Sequence, residues 1–168
     1  FAANDVTGKV WVSGVSQKID GAADGETQAW GADIGANVNV AGFGLTGYYY
    51  GGEGLGITAL FREGYDAAKK KRDSDGGYVQ ATYALPTKTK VGVSWGISNL
   101  DLADNESGAT GTVGGKLVKE NEMWTAGIYH PLTKHLNLVA EYNFSRSYNQ
   151  ADQENKNYSG SLGAILFF

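Results

Sequence analysis

The chain has no cysteine, two prolines, two histidines and one methionine among 168 residues. Without cysteine there is neither a disulfide scaffold nor a thiolate-held metal, although this does not fix the compartment. With so little histidine and no nucleophile elbow, a hydrolase triad has no visible basis, and no enzymatic activity is expected. No apolar run approaches the roughly 18–20 residues that a membrane helix needs. Charge is nearly balanced, with 14 Lys and Arg against 18 Asp and Glu and a net charge of −4, so no general affinity for nucleic acid is expected. The opening "FAANDV" has neither the basic nor the apolar region of a signal peptide, so a mature chain, or one that begins partway through a longer protein, is expected. What is plentiful is glycine, 25 residues, together with 10 tyrosines and 4 tryptophans. The length suits a single domain over 1–168.

The dominant pattern is alternation. Eight stretches carry a period near two, the mark of strands with one apolar face. In "HLNLVAEYNF", Leu136, Leu138, Ala140, Tyr142 and Phe144 share a side, against Asn137, Val139, Glu141 and Asn143. In "KVGVSWGIS", Val91, Val93, Trp95 and Ile97 oppose Lys90, Gly92, Ser94, Gly96 and Ser98. In "WGADIGANVNV", Trp30, Ala32, Ile34, Ala36, Val38 and Val40 oppose Gly31, Asp33, Gly35, Asn37 and Asn39. "YSGSLGAILFF" places Tyr158, Leu162, Ala164, Leu166 and Phe168 on its apolar side. The other expected strands cover 6–18, 43–54, 77–85 and 122–130; the first is the least regular, since Trp11 shares a face with Lys9 and Ser13.

The connections alternate as well. "AG" at 41–42, "PTKT" at 86–89 and "PLTK" at 131–134 read as tight turns. Longer polar loops are expected at 19–27, 55–76, 100–121 and 148–156. Short turns at one end and long loops at the other describe an up-and-down meander, with both termini at the short-turn end.

Such a meander suits either a soluble fold with its apolar face inward or a transmembrane barrel with its apolar face toward lipid. Three features favour the membrane. The polar faces carry Gly, Ser, Thr and Asn rather than Lys and Glu. The strands match the roughly 9–11 residues of a tilted bilayer span. Aromatics gather at the ends of the apolar faces: Phe43, Tyr83 and Phe168 by the short turns, and Trp30, Tyr49, Phe144 and Tyr158 toward the long loops. Two interfacial girdles would look like this.

The stretches "GLTGYYYGGEGLG", "KRDSDGGYVQATYAL", "TKVGVSWGISNLDL" and the ending "SLGAILFF" resemble general porins of the Gram-negative outer membrane, over roughly 6–168. The resemblance implies a homotrimer of water-filled barrels for passive diffusion of small hydrophilic solutes and ions, without a cofactor, embedded among outer-membrane lipid and lipopolysaccharide. It also implies that Gly163, Leu166 and Phe168 form the C-terminal signal read by the barrel-assembly machinery. Eight strands amount to the second half of a 16-stranded porin barrel, so further strands are expected before Phe1, and with them the loop that narrows the channel. Lumen size points the same way. An eight-stranded barrel must fill its interior with side chains, whereas this inward face carries Gly31, Gly35, Gly44, Gly92, Gly96, Gly127 and Gly163. The alternative function is a small or partial outer-membrane barrel that anchors or completes an assembly.

The expected pore-lining residues are Asp33, Asn37, Asn39, Tyr48, Tyr50, Lys90 and Glu141. Asp33, Lys90 and Glu141 either bias passing ions or are wall residues away from the constriction. Tyr48, Tyr50 and Tyr78 face inward, where packing against a lumen loop is a better reading than solute contact. "KKKR" at 69–72 reads as a solvated loop with internal ion pairs rather than a nucleic-acid patch. Asp101, Asp104 and Glu106 in "DLADNE" loosely resemble an oxygen-ligand cation site but complete no calcium loop. His130 and His135 flank a turn, where anchoring of the rim is expected rather than metal binding.

Overall fold

Alternating sequences joined by tight turns form antiparallel strands, and that is the architecture of the computed structural model. It describes residues 1–3, 5–21, 25–59 and 61–168, apart from the side chains of 3, 19–21 and 25–26. A two-residue strand β1 (Ala2–Ala3) is followed by eight long ones: β2 (Val6–Gly21), β3 (Gly25–Val40), β4 (Phe43–Glu53), β5 (Asp73–Ala84), β6 (Lys90–Leu100), β7 (Val118–Pro131), β8 (Leu136–Asn149) and β9 (Glu154–Leu166). They form one sheet in sequence order, each strand antiparallel to the next.

All eight expected strands are present, yet most are longer than expected, reaching 16 residues in β2 and β3. The extra residues lie at the long-loop end. There both faces are polar, so alternation fades while the backbone ladder, which needs no apolar side chain, runs on. Two expected loops therefore shrink. The 19–27 loop is mostly strand, with 22–24 outside the described residues, and 148–156 reduces to a turn at 150–153.

Parity holds along the sheet except at the start of β7, where the register with β8 shifts between Val118 and Glu120. One apolar row runs Val10, Ala36, Gly47, Val79, Trp95, Trp124, Phe144, Tyr158, each residue opposite the next. A neighbouring polar row runs Lys9, Asn37, Thr46, Gln80, Ser94, Thr125, Asn143, Ser159. A one-residue slip in any pairing would mix the two faces.

Among the described residues, no second layer packs against the apolar face. Ile34 is 54% exposed and Leu162 89%, while Val10, Val12, Leu45, Val79, Val93 and Ile128 are also open. The buried apolar residues among those described are Ala29, Leu55, Ile57, Leu100 and Ala103, all at the long-loop end. The two-layer core of a soluble sandwich is thus missing from the described residues. Aromatic contacts mark both borders of the apolar band. Phe43 meets Tyr83 at 4.3 Å between ring centroids near the short turns. Trp95 meets Trp124 at 6.1 Å, and Phe144 meets Tyr158 at 5.0 Å, nearer the loops.

The sheet is open: β9 stands at one end of the strand order and the β1–β2 hairpin at the other, so a closed barrel is not what the described residues form. β9 ends at Leu166, and the ladder is extended only by the Phe167 N–H, which donates to the His135 carbonyl at 2.8 Å. Leu166 does lie on the apolar side, paired with Leu136, and Gly163 sits on the polar side opposite Val139.

Candidate functional site

The polar face is a lattice of short hydroxyl and amide contacts between strands. Ser13 donates to Asp33 at 2.6 Å, Asn37 to Thr46 at 2.9 Å and Thr125 to Asn143 at 2.6 Å. Within β3, Asn39 donates to Asn37 at 2.6 Å, and across strands Tyr129 donates to Glu141 at 2.5 Å. Alternation places these residues on one side, and the cross-strand register brings them within reach. Small residues make room for large ones. The Trp11 indole occupies the space a Cβ on Gly35 would need, and the Tyr50 ring lies 2.7 Å from the Cβ position of Gly76.

The seven expected pore-lining residues share this face, but the three ionised ones do not assemble into a filter. Asp33 sits opposite Tyr50, Lys90 opposite Tyr129 at the short-turn end, and Glu141 opposite Gly127. One Asp33 carboxylate oxygen, Oδ1, is buried without a hydrogen-bond partner. Cavities of about 780 and 300 Å3 open onto this side, sharing Gln80, Ser94 and Met123 in their walls.

A narrowing element is expected from the sequence only in strands before Phe1, yet the β4–β5 loop folds over the polar face. Its neck is closed by Gly54 N–H to the Arg72 carbonyl at 2.9 Å and Arg72 N–H to the Gly64 carbonyl at 2.8 Å. Leu55 and Ile57 are buried, with Leu55 against the backbone of Gly31 on β3. A 3-10 turn at Ile57–Ala59 touches β5, β6 and β7. The Thr58 N–H donates to the Ser98 hydroxyl at 2.9 Å, and that hydroxyl also meets the Tyr50 hydroxyl at 2.6 Å. Of the three inward tyrosines, Tyr50 is therefore the one tied to the loop.

The fold of this loop depends on a residue that the sequence reading treated as solvated. Arg72, the last residue of "KKKR", is 5% exposed. Its Nε and one terminal nitrogen donate to both carboxylate oxygens of Glu106, at 2.6 and 2.5 Å, and the other terminal nitrogen donates to the Glu63 carbonyl at 2.6 Å. Such a fork matches a carboxylate geometrically and joins loop 54–72 to loop 101–117. The Arg72 hydrogen bonds hold the Glu106 carboxyl below its ordinary pKa, with burial opposing them in part. Glu106 also accepts from the Ala103 N–H at 3.1 Å, so the loose cation site read from "DLADNE" is corrected: its best ligand is occupied by a guanidinium. Lys71 pairs with Glu53 at the end of β4, so this ion pair ties the loop to the sheet rather than to itself.

The rim histidines are placed as anchors. His130 Nδ1 meets the Thr89 hydroxyl at 2.9 Å, and His135 Nδ1 lies 3.1 Å from the Phe167 carbonyl. At the opposite border, the Trp95 and Trp124 indoles donate to Glu122 at 2.7 and 3.2 Å, and Arg146 pairs with the same carboxylate.

No protein-family model and no curated protein matches this chain. Among solved structures, it aligns with the crystal structure of Neisserial surface protein A over 96% of each chain, at 11% identity and a TM-score of 0.31. That score is too low to equate the two folds.

Proposed function

We propose that the chain is part of the wall of an outer-membrane channel for passive diffusion of small hydrophilic solutes, as the general-porin resemblance implies. The observation that carries this reading is the two-sidedness of a single-layer sheet. Among the described residues, the face bearing Ile34, Leu45, Val93 and Leu162 is open with no opposing layer, while the other carries a polar hydrogen-bond lattice and a folded loop. In water such an apolar face is an aggregation surface. In a bilayer it is the ordinary lipid-facing side of a strand, and the polar side faces a water-filled lumen. The two open sheet edges favour a wall larger than eight strands, because edges are intolerable in hydrocarbon. Trimer formation, lipopolysaccharide contact and recognition of Gly163, Leu166 and Phe168 by the assembly machinery belong to the same proposal.

The second reading, a small barrel with an anchoring role, has the crowding of one end of the polar face in its favour, where loop 54–72, Trp11 and Tyr50 lie. Planar-bilayer recording separates the two. Large, weakly selective conductance steps are expected of the channel; protein that inserts and stays closed would sink that reading and leave the anchor.

A further inference from the structure

We propose that the polar face between β4 and β8 holds a binding site for a neutral, hydroxyl-rich solute, a mono- or oligosaccharide, built on Tyr48, Tyr50 and Tyr78. The inference rests on the channel reading above and adds a substrate class to it.

The larger polar-face cavity, about 780 Å3, is lined by these tyrosines together with Thr58, Gln80 and Ser94. Tyr48 and Tyr78 are direct cross-strand partners with ring centroids 5.5 Å apart and planes tilted by 32°. Tyr50 adds a third ring 6.2 Å from Tyr48, tilted by 35°. Centroid spacings and tilts of this size make a nearly continuous aromatic strip. The Tyr50 ring lies over Gly76, which has no side chain to displace it.

A sugar ring has a face of polarised C–H bonds, which suits the negative face of an aromatic ring. It also carries hydroxyls around its edge, and each must find a partner when water is displaced. The cavity supplies both requirements. Gln80, Ser94, Asn121 and Ser145 offer neutral donors and acceptors around the strip. Among the described residues, the Tyr48 and Tyr78 hydroxyls make no hydrogen bond to the protein, whereas the Tyr50 hydroxyl is committed to Ser98. Charge argues against an ionic ligand. Asp33, Lys90 and Glu141 are not in the lining. Glu122, Arg146 and Lys156 border the cavity from the opposite parity, where Arg146 pairs with Glu122 and Lys156 with Glu154.

The test uses maltotriose on the full protein in two formats. In planar bilayers, the sugar should reduce ion current saturably, and Tyr48→Ala or Tyr78→Ala should raise the half-blocking concentration by about tenfold. Tyr48→Phe, which keeps the ring, should shift it far less. In detergent, calorimetric titration with maltotriose should give the same ranking without requiring a channel. Conductance that falls only in proportion to solution viscosity, with no heat of binding, would overturn the site while leaving the channel intact. Calorimetric binding without any conductance would support the site and refute the channel. Equal block in wild type and both Ala variants, or block by benzyl alcohol but not by sugar, would also overturn it.

Discussion

A charge placed on one face or the other of β3 should have opposite consequences. From Val40 at the short turn to Trp30 there are ten residue steps, and at ~3.3 Å per residue with a tilt of about 40° this spans roughly 25 Å of membrane thickness. That equals the height of the apolar band of an outer-membrane wall. Ile34 lies near its middle, 54% exposed on the apolar face. Ile34→Arg should therefore cost about 2–4 kcal/mol of folding free energy in lipid, and Val40→Arg, near the border, about 0–1 kcal/mol. At about 1.4 kcal/mol per decade, Ile34→Arg alters the folding equilibrium by a factor of roughly 30 to several hundred. Asn37→Arg, between them in sequence but on the polar side beside Thr46, should cost little. Reversible guanidinium titration of vesicle-inserted protein, followed by tryptophan fluorescence, measures all three. If Asn37→Arg proved as costly as Ile34→Arg, the polar face would be the buried one and the membrane orientation would be refuted.

Three further outcomes are expected. Arg72→Ala leaves Glu106 partly buried without its partner, a change worth about 3–5 kcal/mol for a buried pair, so loops 54–72 and 101–117 should separate and become sensitive to protease while the sheet stays intact; unchanged protection would contradict the clamp. The pH dependence follows with a defined sign. Because Arg72 depresses the Glu106 carboxyl in the folded state, the contribution is present above the unfolded carboxylate pKa and is lost as pH falls through the lower folded value, so loop protection should fail below the ordinary carboxylate range and not near neutrality. Double-cysteine variants joining β2 to β9, such as Val10 with Leu162, are clean probes in a chain without native cysteine; if the wall exceeds eight strands no bond forms within one chain, whereas ready closure would favour the small barrel.

The sheet was largely legible because the period-two signal is local: the faces of Trp30–Val40, Lys90–Ser98 and Leu136–Phe144 can be read residue by residue and match the pairing. The placement of Trp11 with Lys9 and Ser13, which made the first strand look irregular, is the true polar face, with the indole resting on Gly35. The strand ends were less legible, since Asp73–Gly76 and Val118–Asn121 extend by backbone pairing where neither face is apolar. The 55–76 loop was legible as a polar stretch, but its fold over the polar face was not. It depends on Arg72 reaching Glu106, 34 residues away, and on Thr58 reaching Ser98, 40 residues away, and neither pairing leaves a periodic trace. "KKKR" looked like a solvated run because three of its four residues are ordinary loop cations. The fourth organises the site.

Whether β8 separates lipid from water is read directly by single-cysteine nitroxide labels at 138 to 143 in reconstituted membranes. Labels at Leu138, Ala140 and Tyr142 should collide with oxygen dissolved in the lipid, and those at Val139, Glu141 and Asn143 with a water-soluble nickel chelate. A reversed alternation, or none, would contradict this assignment of faces.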